Sequence, residues 1–152
     1  MPTGLHFFHE GQLEGRRIKI SMHLDLRPEE PVAPALKDFY QKLLACPERP
    51  AVRDGRWQPL EVSPAWEGNP TWDRFLAFNW EGEVHQRLLN TVNYGPTQGQ
   101  CYVSLPFVDL FGNKVKLQDL MSEACYERDG QNLRERGLYL DLPPWGFHMF
   151  AW

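Results

Sequence analysis

The sequence predicts a mainly β fold: an antiparallel Greek-key β-sandwich preceded by a strand, a loop and a helix. Three observations predict it. Residues 74–106 hold three runs whose apolar positions recur with period two: Leu76, Phe78 and Trp80; then Leu88, Val92 and Tyr94 around a polar Asn90; then Cys101, Val103 and Leu105. Alternation of this kind, rich in aromatic residues, is the pattern of half-buried antiparallel strands. The same alternation returns at Leu138, Leu140 and Leu142, and again at Phe147, Met149 and Ala151 opposite His148 and Phe150. Between the runs, Glu81-Gly82-Glu83 and residues 95–99 carry the glycine, proline and polar residues that turns require.

The elements follow in chain order. Leu5 to Phe8 is a short continuous apolar run, as in a strand covered on both faces, and it turns polar at His9-Glu10-Gly11. A mixed basic and apolar stretch then ends at Pro28-Glu29-Glu30-Pro31, a solvated turn. Residues 34–46 form the one convincing helix. Leu36, Phe39, Tyr40, Leu43 and Leu44 make a single apolar stripe, Pro34 suits the first turn, and Pro47 ends it. The switch from helical to alternating pattern divides the chain into residues 1–50 and 51–152.

Beyond the switch, residues 57–62 read as a strand and 63–73 as a loop holding Trp66 and Trp72. Residues 115–121 and 124–128 read as extended, with a turn at Arg128-Asp129-Gly130, and Pro143-Pro144 breaks the penultimate strand. Lys114 and Lys116 have the character of guards on an edge strand.

The totals exclude several classes. At 152 residues, with 42% hydrophobic and 13% aromatic content, the chain can bury a sizeable core. A formal net charge of -4 offers no basic patch to neutralise phosphates, so nucleic acid is not an expected partner. No apolar run reaches transmembrane length, no signal-peptide pattern opens the sequence, and a membrane partner is not expected. Cys46, Cys101 and Cys125 have no metal-ligand spacing, and Cys101 falls within a strand pattern. Buried reduced thiols suit a cytoplasmic protein.

Four pieces of the chain carry a resemblance. GLHFFHEGQLEG at 4–15 looks like the last barrel strand of the alpha-amylase family, glycoside hydrolase family 13. PALKDFYQKLLACPERPAVRDGRWQPL at 34–60 looks like that family's last barrel helix and the passage into its C-terminal β domain. RFLAFNWEGEVHQRLLNTVNYGP at 74–96 resembles a strand pair ending in Asn-aromatic. LQDLMSEACYERDG followed by LYLDLPPWGFHMFAW resembles the closing strands, with a Leu-Pro-Pro-aromatic-Gly corner. The chain departs from the pattern at Phe7, Phe8 and His9, where tyrosines are usual.

The resemblance implies a strand and helix left from a (β/α)8 barrel, then a β-sandwich of domain C type. It implies a parent that cleaves or transfers α-glucosidic bonds through a carboxylate nucleophile and a carboxylic acid. In that family those groups follow earlier barrel strands. This chain is therefore expected to carry no catalytic residue and no cofactor, and to stabilise the barrel of the same polypeptide. Alone, its uncovered apolar segment is expected to dimerise, swap a strand or disorder. A free-standing carbohydrate-binding module for α-glucans is the alternative.

Candidate substrate contacts follow from chemistry. Trp66 and Trp72 lie in a loop outside any alternation, and an indole face covers the apolar face of a pyranose. His9 and Glu10 end the barrel-like strand, on the side where barrel sites lie. Orienting the strand-to-helix loop is the plainer role for that pair, as packing is for the tryptophans. Trp80, Trp145 and Trp152 read as core. His6, His9 and His23 have no spacing that would hold a metal. Asn90 and Asn93 are expected to bond backbone at a strand end.

Overall fold

The computed structural model describes residues 7–18, 28–83, 86–110 and 112–152. Among these residues the strands are β1 (Arg56–Pro59), β2 (Val62–Pro64), β3 (Phe75–Glu81), β4 (Arg87–Asn93), β5 (Gly99–Val103), β6 (Lys114–Asp119), β7 (Cys125–Asp129), β8 (Leu138–Leu142) and β9 (Phe147–Ala151). They form two antiparallel sheets, a six-stranded one ordered β1-β3-β4-β9-β6-β7 and a three-stranded one ordered β2-β5-β8. Among the described residues three α-helices accompany them: α1 (Pro34–Ala45), α2 (Pro50–Arg53) and α3 (Gly130–Arg136). The protein is mainly β, as the alternation predicts.

One core lies between the sheets. Phe75, Ala77, Leu89, Val115, Leu117 and Phe150 face it from the large sheet, and Cys101, Val103, Leu138, Leu140 and Leu142 face it from the small one. The runs in β5 and β8 point as their alternation predicts. The run in β3 points the other way. Leu76, Phe78 and Trp80 lie on the outer face of the large sheet, while Phe75, Ala77 and Asn79 face the core. FLAFNW is apolar at both parities, so periodicity could not choose between the faces.

The outer face has a second, smaller cluster. Trp80, Leu88, Met149 and Cys46 are buried there, with Leu43, Val52, Trp57 and Phe78 packed against them. Thus α1 and α2 lie on the sandwich, joined to it at the C-terminal end of α1. Pro34 opens α1 and Asp38 pairs with Lys42 at 3.1 Å, one turn apart.

Several boundaries differ from expectation. The segment expected as one strand at 57–62 is split, because β1 pairs with β3 in one sheet and β2 with β5 in the other. Residues 128–130 are not a turn. β7 runs to Asp129, whose carboxylate accepts from the Asn132 amide at 2.9 Å and caps α3. With seven residues and one buried leucine, α3 is too short to show a period. Lys114 guards no edge, since β6 lies between β9 and β7; its ammonium is 2.9 Å from Glu127 across the ladder. Trp145 is exposed rather than core, whereas Trp152 packs on the main core. Residues 7–9 form no strand and Phe7 is 80% exposed; Leu5 and His6 lie outside the described residues.

Candidate functional site

Trp66 and Trp72 are not brought together. Trp66 is 51% exposed on its loop, while Trp72 opens a 3-10 turn and packs against the main core. The loop between them is held by a buried Asn69. Its side-chain amide donates to the Gln100 carbonyl at 2.7 Å, and its Oδ1 accepts from the Thr71 amide and hydroxyl. Of the two tryptophans, Trp66 is the exposed one and Trp72 is half-buried.

His9 and Glu10 are exposed in a turn over residues 9–15. The His9 amide donates to Gln12 Oε1 at 3.2 Å, and its Nδ1 lies 2.8 Å from the Glu10 carbonyl. Gln12 in turn donates to the Tyr40 hydroxyl at 2.8 Å, and the Ala33 amide to the Glu14 carbonyl at 2.9 Å. These bonds tie the turn to α1. His6 and His23 lie outside the described residues. Among those described, no group of His, Cys, Asp and Glu gathers as metal ligands.

The asparagines bond backbone. The Asn93 amide reaches the carbonyls of Thr97, Leu142 and Pro143 at 2.8, 3.2 and 2.9 Å, holding the turn after β4 against the end of β8. Asn90 reaches only the Leu88 carbonyl, at 3.5 Å. All three cysteines are free, with Cys46 and Cys101 buried and Cys125 exposed. Burial pushes the Cys101 thiol up to about 12.

A larger feature lies on the outer face of the six-stranded sheet. Leu76, Val92 and Phe147 stand side by side across β3, β4 and β9 on the outer face. Leu76 is 54% exposed and Phe147 39%, and beside this row Tyr94 and Trp145 form a T-shaped pair at 5.4 Å, 66% and 57% exposed. Phe39 of α1 meets Phe147 edge-on at 5.6 Å and Tyr40 at 5.4 Å, and Tyr40 meets Phe8 at 6.1 Å. No residue of α1 is buried, although Leu36, Phe39, Tyr40, Leu43 and Leu44 form its apolar stripe. The result is an exposed apolar surface of Leu76, Tyr94, Trp145 and Phe147, flanked by the half-buried stripe of α1. A run apolar at both parities signals such a surface, because each face of the strand then needs a cover.

The one described carboxylate–imidazole contact, Asp119 with His148 at 3.0 Å, joins two strands. Neither a protein-family model nor a curated protein matches the chain. No helix among the described residues is long and apolar enough to cross a membrane.

Proposed function

We propose that the chain is a non-catalytic C-terminal domain of an alpha-amylase-like glycoside hydrolase acting on α-glucans. In this reading residues 1–50 are the last strand and helix of a (β/α)8 barrel, and 51–152 are a Greek-key sandwich that stabilises it. The observation that carries the reading is the apolar surface of Leu76, Val92, Phe147, Tyr94 and Trp145 beside the half-buried stripe of α1. Monomeric proteins rarely leave contiguous apolar surface of this kind in water. The barrel of the same polypeptide is its occupant. Residues 34–53 already bind the sandwich through Cys46, Leu43 and Val52, so a barrel ending in that helix would be led onto this face. The order of the four resembling segments supports the same assignment.

The chain alone should associate through this face and turn over no maltooligosaccharide. Light scattering and side-chain footprinting test it: Leu76→Lys with Phe147→Lys should yield a monomer. A wild-type monomer with Leu76, Tyr94 and Trp145 protected from labelling would overturn the reading, as would measurable glucan hydrolysis.

A second reading is a free-standing carbohydrate-binding module, favoured by the exposed indole of Trp66 on a loop pinned by Asn69. Glucan binding lost in Trp66→Ala would select it.

A further inference from the structure

Four strands end the two sheets, β1 and β7 in the large one, β2 and β8 in the small one. An open strand edge invites pairing with another chain, and natural edges are blunted by proline, charge or brevity. β1 and β2 are four and three residues long, and each ends in proline, Pro59 and Pro64. β7 carries Glu127, Arg128 and Asp129 in succession. β8 pairs with β5 without a bulge and holds no proline or lysine. Its one charge, Asp141, already accepts from Gln98 at 2.7 Å. Among the described residues, β8 is the unguarded edge.

The ladder shows which backbone groups this edge offers. The Gln100 amide donates to Thr71 Oγ1 at 3.0 Å, and the Gln100 carbonyl accepts from Asn69 at 2.7 Å. The Ser104 amide donates to the Glu61 carbonyl at 2.9 Å. Even-numbered residues of β5 thus bond away from β8, which leaves Gly99, Cys101 and Val103 to bond towards it. Their partners are Leu142, Leu140 and Leu138. Tyr139 and Asp141 therefore turn both N–H and C=O to the open edge. Their side chains stand on the outer face of the small sheet, opposite the buried leucines.

We propose that β8 pairs antiparallel with β8 of a second copy of this chain, about a two-fold axis at Leu140. Tyr139 then lies opposite Asp141 of the second copy, and Asp141 opposite its Tyr139. Each such pair exchanges two hydrogen bonds, so every outward group of both residues is used. The neighbouring registers fail. An axis at Asp141 would oppose two carboxylates and set Tyr139 against Pro143, which has no N–H. An axis at Tyr139 would set Asp141 against Gly137, whose N–H already donates to the Leu133 carbonyl at 3.0 Å. The match lies between residues of this chain, and that makes a second copy the occupant. Pairing joins two three-stranded sheets into one and removes the open edge of each.

This edge belongs to the small sheet, whereas Leu76 and Phe147 lie on the outer face of the large one. The pairing stands whether or not a barrel covers that face. One strand edge buries less than the ~1,200 Å² of a standard stable interface, which puts the Kd on the order of 1 mM. At micromolar concentration the edge is unpaired.

Amide spectra of labelled Leu76→Lys/Phe147→Lys, from micromolar to millimolar chain, test the proposal free of association through the outer face. The Tyr139 and Asp141 amides should shift with concentration. In a mixture of labelled and unlabelled chain, the Leu140 α proton should contact its counterpart, since Cα atoms of a non-hydrogen-bonded pair lie ~4.5 Å apart. Tyr139→Pro, added to that background, removes an outward N–H at a position where an edge accepts proline, and should abolish the concentration dependence. Tyr139→Lys sets a cation opposite Asp141 of the second copy and should tighten pairing about two- to tenfold; Tyr139→Glu should weaken it by a similar factor. Spectra unchanged away from β8 show that each variant is folded. No shift in β8 at millimolar chain, shifts centred on β7, or equal pairing in the Lys and Glu variants would each overturn the proposal. A wild type that fails to associate in light scattering would count against the outer face alone.

Discussion

Asp119 Oδ2 lies 3.0 Å from His148 Nδ1, and this contact joins β6 to β9 where their ladder is only two residue pairs long. The buried carboxylate also accepts from Ser122 Oγ at 2.7 Å and from the amides of Met121 and Met149, each at 3.2 Å. β6 and β7 reach the rest of the large sheet through β9. The side chain thus stands in for ladder bonds that the short pairing lacks.

Replacing Asp119 by Asn should lower stability by about 2–3 kcal/mol, because the amide meets several of those donors with a donor of its own. The pH dependence follows from the shift. Burial raises the Asp119 carboxyl, but the hydrogen bonds from Ser122, His148, Met121 and Met149 outweigh it, so its folded value lies below the ordinary one. A lowered folded value gives stability that is complete above the unfolded value, about 4, and is lost as pH falls towards and through the folded one. Urea midpoints across the acid range should fall steeply in the wild type and more gently in Asp119→Asn. Identical slopes would remove Asp119 from the acid transition.

Arg87 should be the most sensitive charged position. Its side chain is buried, with Glu81 at 2.6 Å and Asp109 at 2.7 Å, and its guanidinium is 4.1 Å from the Phe107 ring centroid. Burial works against its charge, yet the bonds to Asp109 and Glu81 hold it charged more firmly than usual. Arg87→Met keeps the stem and deletes the charge. Both carboxylates are about one-third exposed and can regain water, so the expected loss is about 2–3 kcal/mol, the low end for a broken buried pair. Chemical denaturation would measure it, and a change below about 0.5 kcal/mol would mean that the network contributes nothing net.

Gly130, where β7 passes into α3, admits no side chain. A Cβ there would stand 1.9 Å from the Leu110 carbonyl oxygen and 2.6 Å from that of Asn113. Both are backbone atoms, so relief requires moving the 3-10 turn Val108–Leu110 or the helix. Gly130→Ala should cost about 1–3 kcal/mol, read as a lower thermal midpoint. Gly68→Ala meets no atom within 4 Å but has φ +79, so its cost is backbone strain alone, about 1 kcal/mol.

The cysteines should separate kinetically. Cys125 is exposed, whereas burial raises both the Cys46 thiol and the Cys101 thiol, the latter to about 12. Thiolate is the reactive form. At about pH 8 one thiol per native chain should react rapidly with an aromatic disulfide reagent, and the other two only after unfolding. Three fast thiols would show that the core between the sheets opens readily.

Local pattern is enough to make the protein mainly β, to make 34–46 helical, and to choose the buried faces of β5 and β8. Strict alternation decides those, because the side-chain period of a strand is two and one residue of slip would bury polar groups. It also determined the backbone role of Asn93, whose short amide suits carbonyls at a strand end. Which face of β3 meets the core depends on long-range packing, since both parities are apolar and the partner sheet chooses. The same is true of the split of 57–62, because sheet membership is a long-range pairing that no local pattern encodes. The contact of Tyr102 with Tyr139 was equally hidden, because it pairs two strands far apart in the chain.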